Sequence, residues 1–364
     1  METRASRKRA AAAVAATTPV QIDTQPLKKQ RVVLGELTNL SNLIFPLPAN
    51  LIPQKQKLQP RKNPGLKKQP ITLPLDVKVE KFDDPHGGSE CYEPSILNYL
   101  REMEMQKKRR PMVDYIEEVQ REVTENMRGI LVDWLVEVAE EYKLLSESLF
   151  LSVSYVDRFL SINPVKKGRL QLLGVTSMLV ASKYEEIDPP NVRQFCSITD
   201  YTYNKAEVVE MEADILRYLN FEMGNPTAIT FLKRFTEIDS KNQKTPNLQI
   251  EFLSNYLAEL SLMDYECIRF LPSVIAASAI FLARFILSPD DHPWTPSLQE
   301  YTGYQAIELK ACVLILHDLY LARRCASLRA VRQKYRQHKF KYVANFPSPP
   351  EVPKFYFDPV IQLD

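Results

Sequence analysis

Histidine and cysteine, which commonly carry catalysis or bind metal, are few in this chain and badly placed for it. The four histidines, His86, His292, His317 and His338, lie far apart, with no paired spacing for a metal. His317 falls inside a helical pattern and reads as an ordinary packed residue. Glu185-Glu186-Ile187-Asp188 collects three carboxylates that could hold a cation, but acids at a helix end usually stay solvated. Five cysteines (Cys91, Cys196, Cys267, Cys312, Cys325) are odd in number and lack CxxC spacing. They read as free thiols in a reducing compartment, not as disulfides or a zinc module. There is no GxxxxGK[ST], no GxGxxG, no HExxH and no GxSxG. The expectation is a chain with no catalytic residues, no metal and no cofactor, whose work is binding.

The elements that would position a binding surface are helical. Ser95 to Arg109 places Ile96, Tyr99, Leu100 and Met103 at i, i+3, i+4 and i+7, with Lys107 to Arg110 at its end and Pro111 closing it. Such a lone amphipathic helix docks on the body or on a partner. Thr124 to Leu145 is apolar nearly all round and therefore central. Further helices follow: one opened by Ser146, one over Leu170 to Glu186, a short one at Pro189-Pro190, and one from the cap Asn204 to Leu219. Gly174, Ser177, Ala181 and Ser182 permit close helix approach.

About 100 residues later the rhythm returns. Leu271-Pro272 opens a run of the same small-plus-large texture, Trp294-Thr295-Pro296 starts a short helix, and Tyr304 to Leu321 echoes Asn204 to Leu219. The expected fold is all-α, two tandem five-helix bundles behind a leading helix.

Composition agrees. The 364 residues hold 9 glycines against 26 prolines, with 10 prolines in residues 1–86 and 5 after Phe346. Residues 1–86 carry a net +8 and the remainder −6. A basic tail on a mildly acidic body is not the footprint of a nucleic-acid-binding domain. No run of about 18 apolar residues exists, and the alanine-rich start is too weak for a secretory signal. A soluble intracellular protein is expected. Residues 1–88 read as a disordered regulatory tail, 89–225 as the first bundle with its leading helix, 226–345 as the second, and 346–364 as an extended end. Basic clusters such as Arg7-Lys8-Arg9 and Lys28-Lys29-Gln30-Arg31 suit a nuclear address, with a cytoplasmic pool possible. Arg31-Val32-Val33-Leu34-Gly35-Glu36-Leu37-Thr38-Asn39 is an apolar island of the sort linear motifs form.

Met127-Arg128-Gly129-Ile130-Leu131-Val132-Asp133-Trp134-Leu135-Val136-Glu137-Val138 resembles the opening of a cyclin box. Tyr155-Val156-Asp157-Arg158-Phe159-Leu160, Leu179-Val180-Ala181-Ser182-Lys183-Tyr184-Glu185-Glu186, Met211-Glu212 and Leu219-Asn220-Phe221 follow in the family's order. The resemblance spans about residues 90–345. With Tyr99-Leu100-Arg101-Glu102-Met103-Glu104 ahead of the box, it is strongest to A-type cyclins, plant forms in particular; B-type mitotic cyclins are the nearest alternative.

That resemblance implies a regulatory subunit, not an enzyme, that binds and activates a cyclin-dependent serine/threonine kinase between S phase and mitosis. By position, Lys183 and Glu212 would bond the kinase backbone. Leu172, Val180, Tyr184, Phe221 and Met223 would supply the apolar interface, extended by Tyr92, Ile96 and Tyr99. Arg128 and Asp157 match a buried structural ion pair. Met127, Ile130 and Trp134 share one helix stripe and would read as core by spacing alone. The resemblance instead makes them, with Leu170, an exposed groove for substrates and inhibitors bearing (Arg/Lys)-x-Leu, with Glu137 meeting the basic residue and Gln171 the peptide backbone. Arg31, Leu34 and Asn39 match an RxxLxxxxN destruction box read by a ubiquitin ligase of the anaphase-promoting type.

Two other readings stand beside this one. A tandem cyclin-fold transcription factor gripping DNA would need a basic concave surface and a zinc ribbon, and the body is acidic. A helical scaffold without a kinase partner is the other.

Overall fold

The computed structural model describes residues 89–241 and 248–358. The tail, with its basic clusters and the Arg31–Asn39 motif, lies outside the described residues. Among those described there are helices, short 3-10 turns and irregular links, and no strand. No helix among them is long and apolar enough to cross a membrane.

The leading helix α1 spans Ser89–Met105. The first bundle comprises α2 (Glu125–Tyr142), α3 (Ser146–Leu160), α4 (Leu170–Glu185), α5 (Val192–Ile198) and α6 (Lys205–Tyr218). The second comprises α7 (Ala228–Lys241), α8 (Leu248–Ser261), α9 (Pro272–Leu287), α10 (Pro296–Thr302) and α11 (Ala306–Tyr320). A six-residue helix, α12 (Ala330–Tyr335), follows.

Each boundary has a chemical cause. Thr124 caps α2 by accepting the Met127 N–H at 3.3 Å. Asn204 caps α6 through a reciprocal box: its Oδ1 accepts from Ala206 and Glu207, while its own N–H donates to Glu207 Oε2 at 2.9 Å. Asn191 and Gln194 form the same box on α5, so that helix starts two residues after Pro189-Pro190 instead of at the prolines. Pro272 sits in the first turn of α9, where its missing N–H costs nothing. The leading helix departs further from expectation. It begins six residues earlier than Ser95 and ends at Met105, and Lys107–Arg109 form a separate 3-10 turn.

In each bundle the third helix is the central rod. Leu170 through Ser182 of α4 are all buried, as are Ala276 through Ala283 of α9. Gly174 explains how α4 seats against α2: a Cβ there would fall 2.7 Å from the Leu131 side chain. His317 is enclosed, edge-on to Phe285.

Polar clamps join the bundles. Arg128 grips Asp157 with two bonds of 2.8 Å and donates a third, of 2.7 Å, to the Leu262 carbonyl of the second bundle. The Tyr115 hydroxyl donates to the same carboxylate at 2.8 Å. Burial opposes the Arg128 charge, but Asp157 and its hydrogen bonds outweigh that, and the guanidinium pKa rises. Asp133 of α2 accepts the Ala330 and Arg329 N–H groups at 2.9 and 3.3 Å, capping α12 from the other bundle. Lys334 of α12 closes on buried Glu259 at 2.7 and 2.9 Å. The leading helix docks on the second bundle: Glu104 accepts from the Ser273 N–H (3.0 Å) and hydroxyl (2.6 Å), and Arg101 bonds the Thr302 carbonyl.

Candidate functional site

Lys183 near the end of α4 and Glu212 in the middle of α6 meet at 2.6 Å, on a face that stays open to solvent. The same elements and the leading helix also expose large apolar side chains. Phe221 is 72% exposed, Tyr184 55% and Tyr99 59%, with Ile187, Tyr218 and Ile96 also exposed. Exposed apolar side chains of this size are unusual on a surface that meets only water. Tyr92 shares α1 with Ile96 and Tyr99, but its side chain lies outside the described residues.

Three expected members do not reach this surface. Leu172, Val180 and Met223 are buried in the core of the first bundle, and the reason is geometric. Leu172 and Val180 belong to the rod α4, which is enclosed through Ser182. Met223 turns inward at a loop whose carbonyl accepts the Tyr155 hydroxyl at 3.0 Å.

How Phe221 is held outward was not legible in the sequence. Asn220 and Phe221 both take left-handed backbone conformations, φ 51° and 58°, which cost a bulky side chain roughly 1–2 kcal/mol. The loop behind them is clamped. Buried Arg158 donates to the Glu222 carbonyl at 2.9 Å, and Arg109 donates to the Gly224 carbonyl at 2.6 Å and to the Glu222 carboxylate at 2.5 Å. Lys108 also pairs with Glu222, and the hydrogen bond from Lys108, with Arg109 beside it, holds that carboxyl below its usual range. Burial lowers the Arg158 pKa to about 10, so it remains a cation at neutral pH. The basic run after α1 thus serves this loop, not the helix terminus. Gly224 has its own purpose. A Cβ there would sit 2.4 Å from the Tyr184 hydroxyl, so the glycine is what lets Tyr184 lie across the loop.

The second expected surface is only partly open. Met127 and Ile130 are half-buried and Glu137 is exposed, all on α2. Trp134 and Leu170, expected in an exposed groove, are instead enclosed; Leu170 shows 0% of its surface. They are a floor, because α2 and α4 pack directly on each other. Gln171 is buried as well, and its Nε2 has no hydrogen-bond partner. An orphaned buried amide at such a place is costly unless something accepts from it.

Among the described residues no group of three or more metal-ligating side chains exists. Of the acids in the Glu185–Asp188 run, Glu186 accepts the Leu145 N–H (2.8 Å) and the Ser148 hydroxyl (2.6 Å), a helix cap for α3. Cys267 and Cys312 are buried, and burial pushes both thiols up, Cys312 to about 12.

Comparison with known proteins decides the family. The model of the cyclin N-terminal domain matches residues 95–224, and that of the cyclin C-terminal domain residues 226–349. The chain belongs to the cyclin family. Among its relatives, the putative cyclin-A3-1 of Arabidopsis thaliana is 56% identical, over 98% of this chain and 96% of that one. The cyclin-A3-1 of rice (Oryza sativa subsp. japonica) is 52% identical, over 98% and 95%. The G2/mitotic-specific cyclin C13-1 of carrot (Daucus carota) is 52% identical, over 94% of this chain and all of its own length. The A-type resemblance is therefore shown, and so is the tandem cyclin fold. A viral cyclin from herpesvirus saimiri shares that fold, with a TM-score of 0.54 at 23% identity over 62% of this chain and 96% of its own. A cyclin of this kind is a cell-cycle regulatory subunit of a cyclin-dependent kinase and not itself the enzyme.

Proposed function

We propose that this cyclin engages its kinase through the face centred on Lys183 and Glu212, and activates it by selecting the conformation in which the kinase's own lysine–glutamate pair is assembled. The observation that carries this reading is the exposure of large apolar side chains, Tyr184, Phe221, Ile187 and Tyr99, on the same chain segments as a solvent-facing ion pair. A lone surface ion pair is worth little to the fold, so its charges are free to be re-partnered by backbone groups of a docking chain. Nucleotide and magnesium belong to the kinase.

The same reading assigns the α2 surface to substrate recruitment. Met127 and Ile130 present the apolar anchor site for an (Arg/Lys)-x-Leu segment, Glu137 the acid for its basic residue, and the orphaned Gln171 amide a donor for its backbone. Turnover through the Arg31–Asn39 motif, by an anaphase-promoting type of ubiquitin ligase, and residence in the nucleus complete the proposal.

The deciding experiment exchanges the charges, Lys183→Glu with Glu212→Lys. The internal pair can re-form, so helix content and melting temperature should hold. Binding to a cyclin-dependent kinase, and phosphorylation of a histone-like substrate by the complex, should be lost. Normal activation by the exchanged variant would overturn the assignment.

A further inference from the structure

After α12 the chain returns across the second bundle as a strap. Residues 346–353 have no regular secondary structure and carry prolines at 347, 349, 350 and 353. Proline fixes its own φ and holds the preceding residue extended, so Ser348, before Pro349, sits in a preset extended backbone. Both ends are anchored. The Tyr320 hydroxyl donates to the Phe346 carbonyl at 2.6 Å, the Tyr356 hydroxyl to the Pro289 carbonyl at 2.5 Å, and Phe357 stacks on Phe281 at 5.2 Å.

Between those anchors the tethers are polar. His317 of α11, 2% exposed, places Nε2 3.1 Å from the Pro349 carbonyl and 3.0 Å from the Ser348 hydroxyl oxygen. A carbonyl only accepts, so the imidazole proton is on Nε2 and is shared between the two. The Ser348 hydroxyl in turn donates to the Pro349 carbonyl at 3.2 Å. Arg323 bonds the Pro350 carbonyl at 2.7 Å and Asp318 at 3.0 Å.

We propose that Ser348 is a phosphoacceptor for a proline-directed serine/threonine kinase, and that its phosphorylation lifts residues 347–352 off the second bundle as a loop between the two anchors. In the transfer, the γ-phosphoryl group of magnesium-bound ATP forms a bond to Ser348 Oγ. Its bond to the bridging oxygen breaks, the hydroxyl proton passes to the kinase's catalytic aspartate, and ADP leaves.

The consequence follows from space and charge. A phosphate carrying about −1.5 to −2 charges replaces the hydroxyl proton that points to the Pro349 carbonyl oxygen 3.2 Å away. A phosphorus with its oxygens does not fit there, so Oγ must turn and leave its place beside His317. Arg323, which holds the Pro350 carbonyl two residues on, is already committed to Asp318 and to the strap itself. If Arg323 takes the phosphate it releases Pro350; if it does not, Asp318 repels the new dianion. The strap loses a tether either way.

The test uses the full chain, a purified proline-directed kinase of the mitogen-activated type, and ATP, so its outcome is independent of which kinase this cyclin activates. Mass spectrometry should place phosphate on Ser348 and find none there in Ser348→Ala. Glu351 is exposed but followed by buried Val352, so a glutamate-specific protease reports the lift. Losing one or two hydrogen bonds should raise cleavage after Glu351 roughly tenfold. Two results would overturn the proposal. One is a synthetic peptide of residues 342–355 that is phosphorylated while the folded chain stays unmodified at Ser348. The other is phosphate on Ser348 with cleavage after Glu351 unchanged.

Discussion

Phe221 shows how a single residue can be expensive to the fold and useful to the surface. Its left-handed backbone opposes a bulky side chain, and with 72% of its surface exposed it recovers little by packing. Strain of this kind persists where the surroundings dictate it, here the clamps on the Glu222 and Gly224 carbonyls. Phe221→Gly should therefore leave stability unchanged or raise it by up to about 1 kcal/mol, read as a higher urea midpoint. Kinase affinity should fall at the same time, by roughly 1–2 kcal/mol for an interface aromatic, read by calorimetry. A parallel loss of stability and affinity would show the side chain to be structural. Arg128 is the opposite case. It is enclosed with Asp157 and tied to Leu262, so Arg128→Ala strands a buried carboxylate and should cost roughly 3–5 kcal/mol. Its check is a denaturant melt of the chain alone, without any kinase.

At the scale of elements, α1 is positioned by the second bundle although it precedes the first. Its Glu104 is buried against Ser273, and burial raises the carboxyl pKa above 4.5 despite the two hydrogen bonds it accepts. A raised carboxyl pKa means that the folded chain binds a proton more readily than the unfolded one. Its contribution to stability is then fully present below pH 4.5 and is lost as pH rises through the folded value. Glu104→Gln keeps an acceptor for the Ser273 N–H and removes the buried charge. It should raise the melting temperature at pH 7 and flatten the melting curve's pH dependence above 4.5; an unchanged pH dependence would reject this account.

Much of this element plan was legible in advance, because caps and periodicity are local. Asn204 announced α6, Pro272 announced α9, and the small residues of α4 announced its tight seat on α2. Exposure was not legible at the same resolution. Leu170, Leu172 and Trp134 have the right types and order for surface sites, yet whether such a side chain faces solvent depends on how two helices far apart in sequence are crossed. The reach of Asp133 to cap α12, nearly 200 residues away, leaves no mark in any local pattern. Nor does the left-handed turn at Phe221, which departs from the glycine or asparagine such a turn favours.

Over the whole chain, the first 86 residues are basic and the remainder mildly acidic, and the proposed activity and lifetime are assigned to separate parts. The side chains proposed to face the kinase lie between Ile96 and Phe221, whereas the RxxLxxxxN motif lies at Arg31 to Asn39, ahead of the region matched by the cyclin domains. Changes in one part should leave the other working. Arg31→Ala with Leu34→Ala removes the cation and the apolar anchor that a ligase receptor would read. No residue of either bundle is altered, so melting temperature should hold within the range of a surface substitution, about 0.5 kcal/mol. Kinase activation in a purified assay should equal that of the parent. Lifetime is what should change, with the variant persisting through mitotic exit in synchronised dividing cells while the parent disappears. An identical half-life would remove the destruction motif from the proposal and leave the kinase-binding face standing. A longer half-life together with lost activation would mean that tail and body work as one unit.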